Sequence, residues 1–429
     1  MNIRRSAAAL AAVAVAVIGA PVQSAVADTA PPASAAPELP AALYGKTDPQ
    51  YDGVWRQSLA LLAQHTAGVR PAAEAVDWLA GQQCASGGFA PFRADTSRAC
   101  DAKTAVDTNG TAAAVQALTA LGGHEAVTGK AVAWLKSVQN KDGGWGYMPG
   151  GASDTNSTSV VVGALTAAGD QPASVLKDGN SPYDALLKLA LPCSGKGDGA
   201  GAFAFQPDKQ GKLAANADAT AAGVVGILGK GLVASAAKDG GAARCSDAGP
   251  APERAAAGGA AYLARAVAKD GHLTSALPGA DPQPDYGNTA DTVVALAAQG
   301  GAAQARKPLE WLEKNAGTWA AQSGPAAYAQ LIFAAHATGT DPRAFGGTDL
   351  VKALNATGPA PQQAADGKGQ GTTAPTDKAD KADRADKTGK GSGSSHTVWW
   401  IVGGVVVVLV VAAVAWSVLR GRGGAGQRS

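Results

Sequence analysis

"KAVAWLKSVQNKDGGWGY", residues Lys130 to Tyr147, joins a helix to its own stop signal. Ala131, Trp134, Leu135 and Val138 recur at the i, i+3, i+4, i+7 spacing of one apolar helix face. Asp142, Gly143 and Gly144 then break the helix, and Trp145 follows at once. "EAVDWLAGQQCASGGF", Glu74 to Phe89, repeats the order with Trp78-Leu79, Gln83, two glycines and Phe89. A weaker copy, "AAYLARAVAKDGHL", keeps Tyr262-Leu263, Gly271 and Leu273 with Val267 in place of the glutamine, and "PLEWLEKNAGTW" around Trp311 is a shortened one. A unit that recurs in this way signals a repeat fold.

The segments between these helices repeat as well. "DTNGTAAAVQALTALG" from Asp107, "DTNSTSVVVGALTAAG" from Asp154 and "DYGNTADTVVALAAQG" from Asp285 each place a threonine four residues after the aspartate (Thr111, Thr158, Thr289). Each also places a leucine eleven residues after it (Leu118, Leu165, Leu296) and closes on glycine, a usual helix stop. "NADATAAGVVGILGKG" from Asn216 fits with a one-residue slip, and the segments from Asp52 and Gly324 fit loosely. Val160, Val161, Val162, Ala164 and Leu165 leave no polar face, so this helix must be buried nearly all round. The tryptophan-bearing helices keep a polar side with Asp77, Lys130 and Lys136. One set is therefore inner and the other outer.

Inner helices are expected to start near residues 52, 107, 154, 216, 286 and 324, and outer ones to lie near 71–83, 125–139, 181–191, 253–268, 304–316 and 348–355. Six alternating pairs predict an all-α fold, an (α/α)6 toroid over residues 41–358. An open solenoid is the alternative, but it should carry distinct capping repeats. In the ring, the glycine turn reverses the chain from the outer wall to the inner one. The following aromatic plugs the seam, and Gln83 or Gln139 is placed to bond orphan backbone groups at the helix ends.

The ends of the chain read differently. Arg4 and Arg5 precede the apolar run "AAALAAVAVAVIGA", and Ala25-Val26-Ala27 is a small-residue cleavage pattern, so residues 1–27 are expected to be a signal peptide. Residues 359–396 have almost no large apolar side chains and alternate Asp, Lys and Ala, which predicts a disordered linker. From Val398 to Leu419 no charged residue interrupts about 22 positions, enough to cross a bilayer. Trp399, Trp400 and Trp416 suit its interfaces, and residues 420–429 form a basic tail with Arg420, Arg422 and Arg428. The expectation is a single-pass cell-membrane protein with its globular part outside and its C-terminus in the cytoplasm. A formal net charge of +2 gives no reason to expect nucleic acid. Four cysteines in an exported chain predict two disulfides. Of the three pairings, Cys84–Cys100 and Cys193–Cys245 are favoured because each would staple one long inter-helix loop. With no CxxC and no histidine cluster, neither a metal nor a cofactor is expected.

"KAVAWLKSVQNKDGGW" resembles the QW motif of the squalene cyclase and prenyltransferase repeat superfamily, whose members form α/α toroids. Asp-Thr pairs at the start of all-apolar inner helices also resemble the α-domain of the cobalamin carriers intrinsic factor and transcobalamin. The enzyme branches of the superfamily imply motifs that this sequence lacks: no DxDD acid, no DDxxD diphosphate site and no prenyltransferase zinc set. No catalytic residue is therefore assigned, and a carbohydrate- or terpenoid-acting enzyme is the least favoured reading.

What remains is a mouth furnished by the starts of the inner helices. Candidate ligand-binding residues are Asp107, Thr108, Asn109, Asp154, Thr155, Asn156, Tyr286, Asn288 and Asp291, with Trp145 and Tyr147 from the adjoining turns and Phe89 and Phe92 beside them. Carboxylate, amide and hydroxyl groups within an aromatic rim suit a bulky ligand edged with amides or hydroxyls. The carrier resemblance implies a corrinoid-like one. Such carriers clamp the ligand against a β-domain, which does not follow here, so a partner protein would supply it. The alternative for Asp107 and Asp154 is plain helix capping. The alternative for the whole chain is a surface scaffold that binds another protein.

Overall fold

The computed structural model describes residues 39–195, 197–238, 241–249, 251–275 and 281–363. The expected signal peptide, the membrane span, the basic tail and all but the first residues of the linker lie outside these. Among the described residues no helix is long and apolar enough to cross a membrane.

Twelve α-helices are described. The odd-numbered set is α1 (Gly53–Thr66), α3 (Thr108–Leu121), α5 (Thr155–Ala167), α7 (Ala217–Ile227), α9 (Tyr286–Gly300) and α11 (Pro325–Thr338). The even-numbered set is α2 (Ala73–Gly81), α4 (Glu125–Ser137), α6 (Pro182–Leu189), α8 (Ala251–Ala266), α10 (Ala302–Ser323) and α12 (Leu350–Asn355). Each odd-numbered helix packs on the next odd-numbered one and α11 packs back on α1, so these six close a cycle. Each even-numbered helix lies against its odd-numbered neighbours in sequence. This is the inner and outer alternation that an all-α toroid requires. The burial pattern agrees: Val161, Val162, Ala164 and Leu165 of α5 are fully buried. One departure from all-α is a short antiparallel pair, β1 (Leu273–Ser275) with β2 (Gln283–Asp285), which delivers the chain to α9.

Closure joins the two ends of the described chain. Gly45 donates its amide to Thr357, and Gln64 Nε2 donates to Asn355 Oδ1 at 2.7 Å. The ring also runs past the expected boundary at residue 358. Gln362 donates its backbone amide to Arg70 and its side-chain amide to Pro71 at 2.8 Å, so the start of the expected linker is docked.

In four of the six repeats the turn before the inner helix is held in one way. The backbone amides of Phe89, Trp145, Phe203 and Leu273 donate to the hydroxyls of Thr111, Thr158, Thr220 and Thr289, at 2.9, 3.0, 2.9 and 3.0 Å. These threonines are the residues four beyond the helix caps, which accounts for their spacing in the sequence. Thr220 and the buried Ile227, four and eleven residues after Asn216, show that the fourth copy keeps this register without the expected slip. Trp145 is 1% exposed and its indole Nε1 donates to Leu135 O at 2.8 Å. Gly87 (φ +99) and Gly143 (φ +92) need glycine twice over, because a Cβ there would also strike the backbone carbonyls of Lys130 and Ser181 in the next repeat. The motif glutamines do not serve helix-end groups as expected. Gln139 Nε2 bridges Gly143 O (2.8 Å) and Val175 O (3.1 Å), and Gln83 Nε2 bridges Gly87 O (3.0 Å) and Val127 O (2.8 Å). Each ties its own turn to the next outer segment.

Both favoured disulfides are present, with Cα–Cα distances of 5.5 Å for Cys84–Cys100 and 5.3 Å for Cys193–Cys245. The first staples the loop between α2 and α3. The second does not close a single loop: it joins the loop after α6 to the loop before α8, clasping α7 between them.

Trp145→Ala should remove about 3–5 kcal/mol of unfolding free energy, the usual cost of emptying a buried aromatic site. Thr158→Val should cost about 1–3 kcal/mol, because it leaves the Trp145 amide buried without a partner. Urea unfolding followed by circular dichroism measures both; a pair of unchanged midpoints would contradict this account of the turn.

Candidate functional site

The starts of the inner helices lie at one end of the ring, linked by hydrogen bonds between neighbours. An amide in the first turn of each of α1, α3 and α5 donates to a turn of the following repeat: Val54 to Pro91 O, Thr108 to Tyr147 O, and Thr155 to Phe205 O. Side chains then add cross-helix links. Asn156 Nδ2 of α5 donates to Asp218 Oδ2 of α7 at 2.7 Å, and Gln330 Nε2 of α11 donates to Asp291 Oδ2 of α9 at 3.2 Å.

The candidate residues divide into two groups. Asp107 and Asp154 are buried N-caps: Asp107 accepts from the Gly110 amide at 2.6 Å, and Asp154 from the Ser157 amide at 2.7 Å and its hydroxyl at 2.9 Å. Thr108 and Thr155 are fully buried, with the Thr155 hydroxyl donated to Ala204 O. Trp145 is sealed in the core with its donor used, so it cannot form part of an accessible aromatic rim; Phe89 is likewise 0% exposed. These side chains serve the fold, except that the buried Thr108 hydroxyl has no partner. Asn109, Asn156, Asn288, Asp291, Tyr147 and Tyr286 remain partly exposed. Asn288 donates to the cap carboxylate of Asp285 at 2.8 Å. Phe92 is partly exposed beside the start of α1, its ring stacked on Trp78.

Sequence reasoning missed Asp218, Gln330 and Trp319. The first two carry a positional signal. Asp218 follows its cap, Asn216, by the same offset at which Asn109 and Asn156 follow theirs. Gln330 lies as far beyond Gly324 as Asp291 lies beyond Asp285. Trp319 has no such signal.

The electrostatics of the mouth are those of carboxylates held away from water. Burial raises Asp107 and Asp154 to about 6, against the opposing pull of their backbone hydrogen bonds. Asp291 is raised to about 7, first by burial and then by the negative charges of Asp218 and Asp285. Asp218 is also raised, by burial above all, with the Asn156 amide acting against it. Tyr147 is pushed up by burial and by the charges of Asp107 and Asp52. Among the described residues Asp218, Asp285 and Asp291 form no salt bridge. The side-chain carbonyls of Asn109 and Asn156 are enclosed without a partner. No group of three or more His, Cys, Asp or Glu is arranged to hold a metal among the described residues. A separate cavity of about 310 Å³ is lined by Thr166, Asp170, Pro172, Tyr183 and Leu228, at the far ends of α5 and α7 from this mouth.

Residues 105–176, spanning α3 to α5, match the family of squalene-hopene cyclase C-terminal domains. The squalene cyclase-like terpenoid cyclase repeat is thus present in this stretch. No curated protein matches the chain in sequence. Similar solved structures include a protein from Actinoplanes, with 16% identity, TM-score 0.45, and coverage of 70% of this chain and 93% of that one. Another is ent-copalyl diphosphate synthase from Streptomyces platensis, with 16% identity, TM-score 0.44 and coverage of 67% of this chain. The aligned part is 51% of that synthase, about half its length. A sugar epimerase from a ruminal bacterium aligns at 14% identity and TM-score 0.39, over 63% of this chain and 79% of its own.

The raised caps set a pH dependence. A carboxylate whose folded pKa lies above its unfolded value contributes stability that is full below about 4 and is lost as pH rises through the folded value near 6. Asp154→Asn keeps an oxygen for the Ser157 amide, as Asn216 does for α7. It should therefore match or exceed the parent's melting temperature at pH 7.5 and flatten the fall in stability between pH 4 and 6. Asp154→Ala should lose about 0.5–2 kcal/mol. Thermal melts across this pH range check the sign; a loss as large for Asn as for Ala would refute the capping role.

Proposed function

We propose that this chain is an exported, membrane-anchored binding protein that captures a ligand at the mouth of an (α/α)6 ring. The carrying observation is a set of polar groups withdrawn from water without being fully paired. Asn109 and Asn156 keep enclosed carbonyls with no partner. Asp218 and Asp291 are held by side-chain amides and not by cations. Such groups carry a desolvation cost that a bound ligand would relieve. A mouth that only capped its helices would need Asp107 and Asp154 but none of these four.

Placement outside the membrane rests on the N-terminal signal pattern, on the apolar run 398–419 and on two disulfides compatible with an oxidising compartment. The linker after the ring would act as a stalk. A corrinoid-like ligand remains the form implied by the cobalamin-carrier resemblance, with a partner protein closing the site. A protein-binding scaffold is the second reading. It is favoured by Tyr51 and Met148, apolar side chains 59% and 37% exposed on the loops entering α1 and α5.

Mass spectrometry of small molecules that co-purify with the detergent-solubilised chain tests the first reading. A compound retained by the parent should be lost from Asn156→Ala with an unchanged melting temperature, because Asn156 lies beyond the cap. Asp154→Ala should lower both retention and stability. Retention indifferent to both substitutions would favour the scaffold.

A further inference from the structure

A row of four aromatic rings runs beside the mouth. His272, Trp311, Tyr286 and Trp319 stack in series with centroid separations of 4.2, 5.0 and 5.4 Å. All four rings are partly exposed. They differ from Trp145, whose indole is sealed and whose donor is used. Neither Trp311 nor Trp319 has its indole N–H bonded among the described residues, so the row is not consumed by the packing of the repeat. Its inner faces are covered by neighbouring rings, and Trp319 forms one end of the row.

That end lies near Gln330, which bonds Asp291. A Cβ added at Gly287 would lie 3.8 Å from the Trp319 ring and 3.5 Å from Gln330 Oε1, ordinary contact distances that put indole and amide near one another at the start of α9. Gln330 in turn holds Asp291, which shares its field with Asp218 and Asp285. These three carboxylates come from α7 and from the cap and second turn of α9, and no cation pairs with them among the described residues. A divalent metal is a poor occupant, since the oxygens are not gathered into a ligand set and indole supplies none.

We propose that the mouth between Trp319, Asp291 and Asp218 binds a small molecule through an ammonium group. The cation lies against the Trp319 face and is balanced by the carboxylates. An aromatic face attracts a cation through its quadrupole, and the attraction strengthens where water is excluded. Charge complementarity selects this occupant over a neutral one: burial and like charge make these carboxyls hold a proton more tightly, and an entering cation would favour their charged form instead. The proposal rests on the ligand-capture reading and names the chemistry of that site.

The probe is choline, with 3,3-dimethylbutan-1-ol as its neutral counterpart of the same shape and spermidine as a primary-amine comparison. Binding to the full chain in detergent is read by tryptophan fluorescence and calorimetry. Choline or spermidine should bind and the neutral alcohol should not. Trp319→Leu and Asp291→Asn should each weaken binding by about tenfold, with Trp319→Tyr retaining most of it. Asp291→Asn should melt at or above the parent at neutral pH, since burial raises that carboxyl, and Trp319→Tyr, which keeps an aromatic ring against the core, should match the parent. Equal binding of the neutral alcohol, or choline affinity indifferent to Asp291→Asn, overturns the proposal. If neither ammonium probe binds but a neutral co-purified compound does, and is lost from Asn156→Ala, the capture reading stands and this inference falls. If no compound binds at all, both fall.

Discussion

The threonine hydroxyl one turn into an inner helix is the contact on which the rest of this ring depends. It accepts the backbone amide of the residue that follows the glycine turn, in four successive repeats and at nearly the same length. In three of them it also donates back to the cap carbonyl of its own helix. A single side chain thus satisfies a buried amide and fixes where the outer wall returns to the inner one. Without it the aromatic could not be set into its seam, because its own backbone would be buried unpaired. The turn glycines then let the next repeat approach at carbonyl contact, and the motif glutamines bond across that join. Repetition of this small unit carries the chain round until α11 meets α1.

This economy leaves the helix starts on one face with distinct duties. The caps hold backbone amides, and burial makes Asp107 and Asp154 weaker acids. The residues just beyond them turn to neighbouring helices. The amide of Asn156 reaches a carboxylate 62 residues away, and that of Gln330 one 39 residues away. The same rim therefore carries structural charges, which the fold requires, and polar groups that it does not. Aromatic residues divide along the same line. Trp145 and Phe89 are pinned by the threonine contact and disappear into the core, whereas Trp311, Tyr286 and Trp319 stack on one another and stay partly open.

Much of this was legible before any coordinates. Helix number and order follow from apolar periodicity and from caps and glycine stops, all properties of short segments, although α10 runs on to Ser323 past the expected end near residue 316. The aspartate and threonine at fixed spacing were readable too, as were the two disulfide partners. What sequence could not supply were relations between segments. Cys193–Cys245 spans α7 because the loops on either side of that helix meet, which no count of intervening residues reveals. Asp218 joins Asn156, and Gln330 joins Asp291, because the ring makes those helices neighbours. The fate of each tryptophan depends on whether a partner repeat covers it. Local physics, in hydrogen bonds and periodicity within about a dozen residues, determined the elements. Burial and charge at the mouth are sums over many helices, and only the closed tertiary structure decided them.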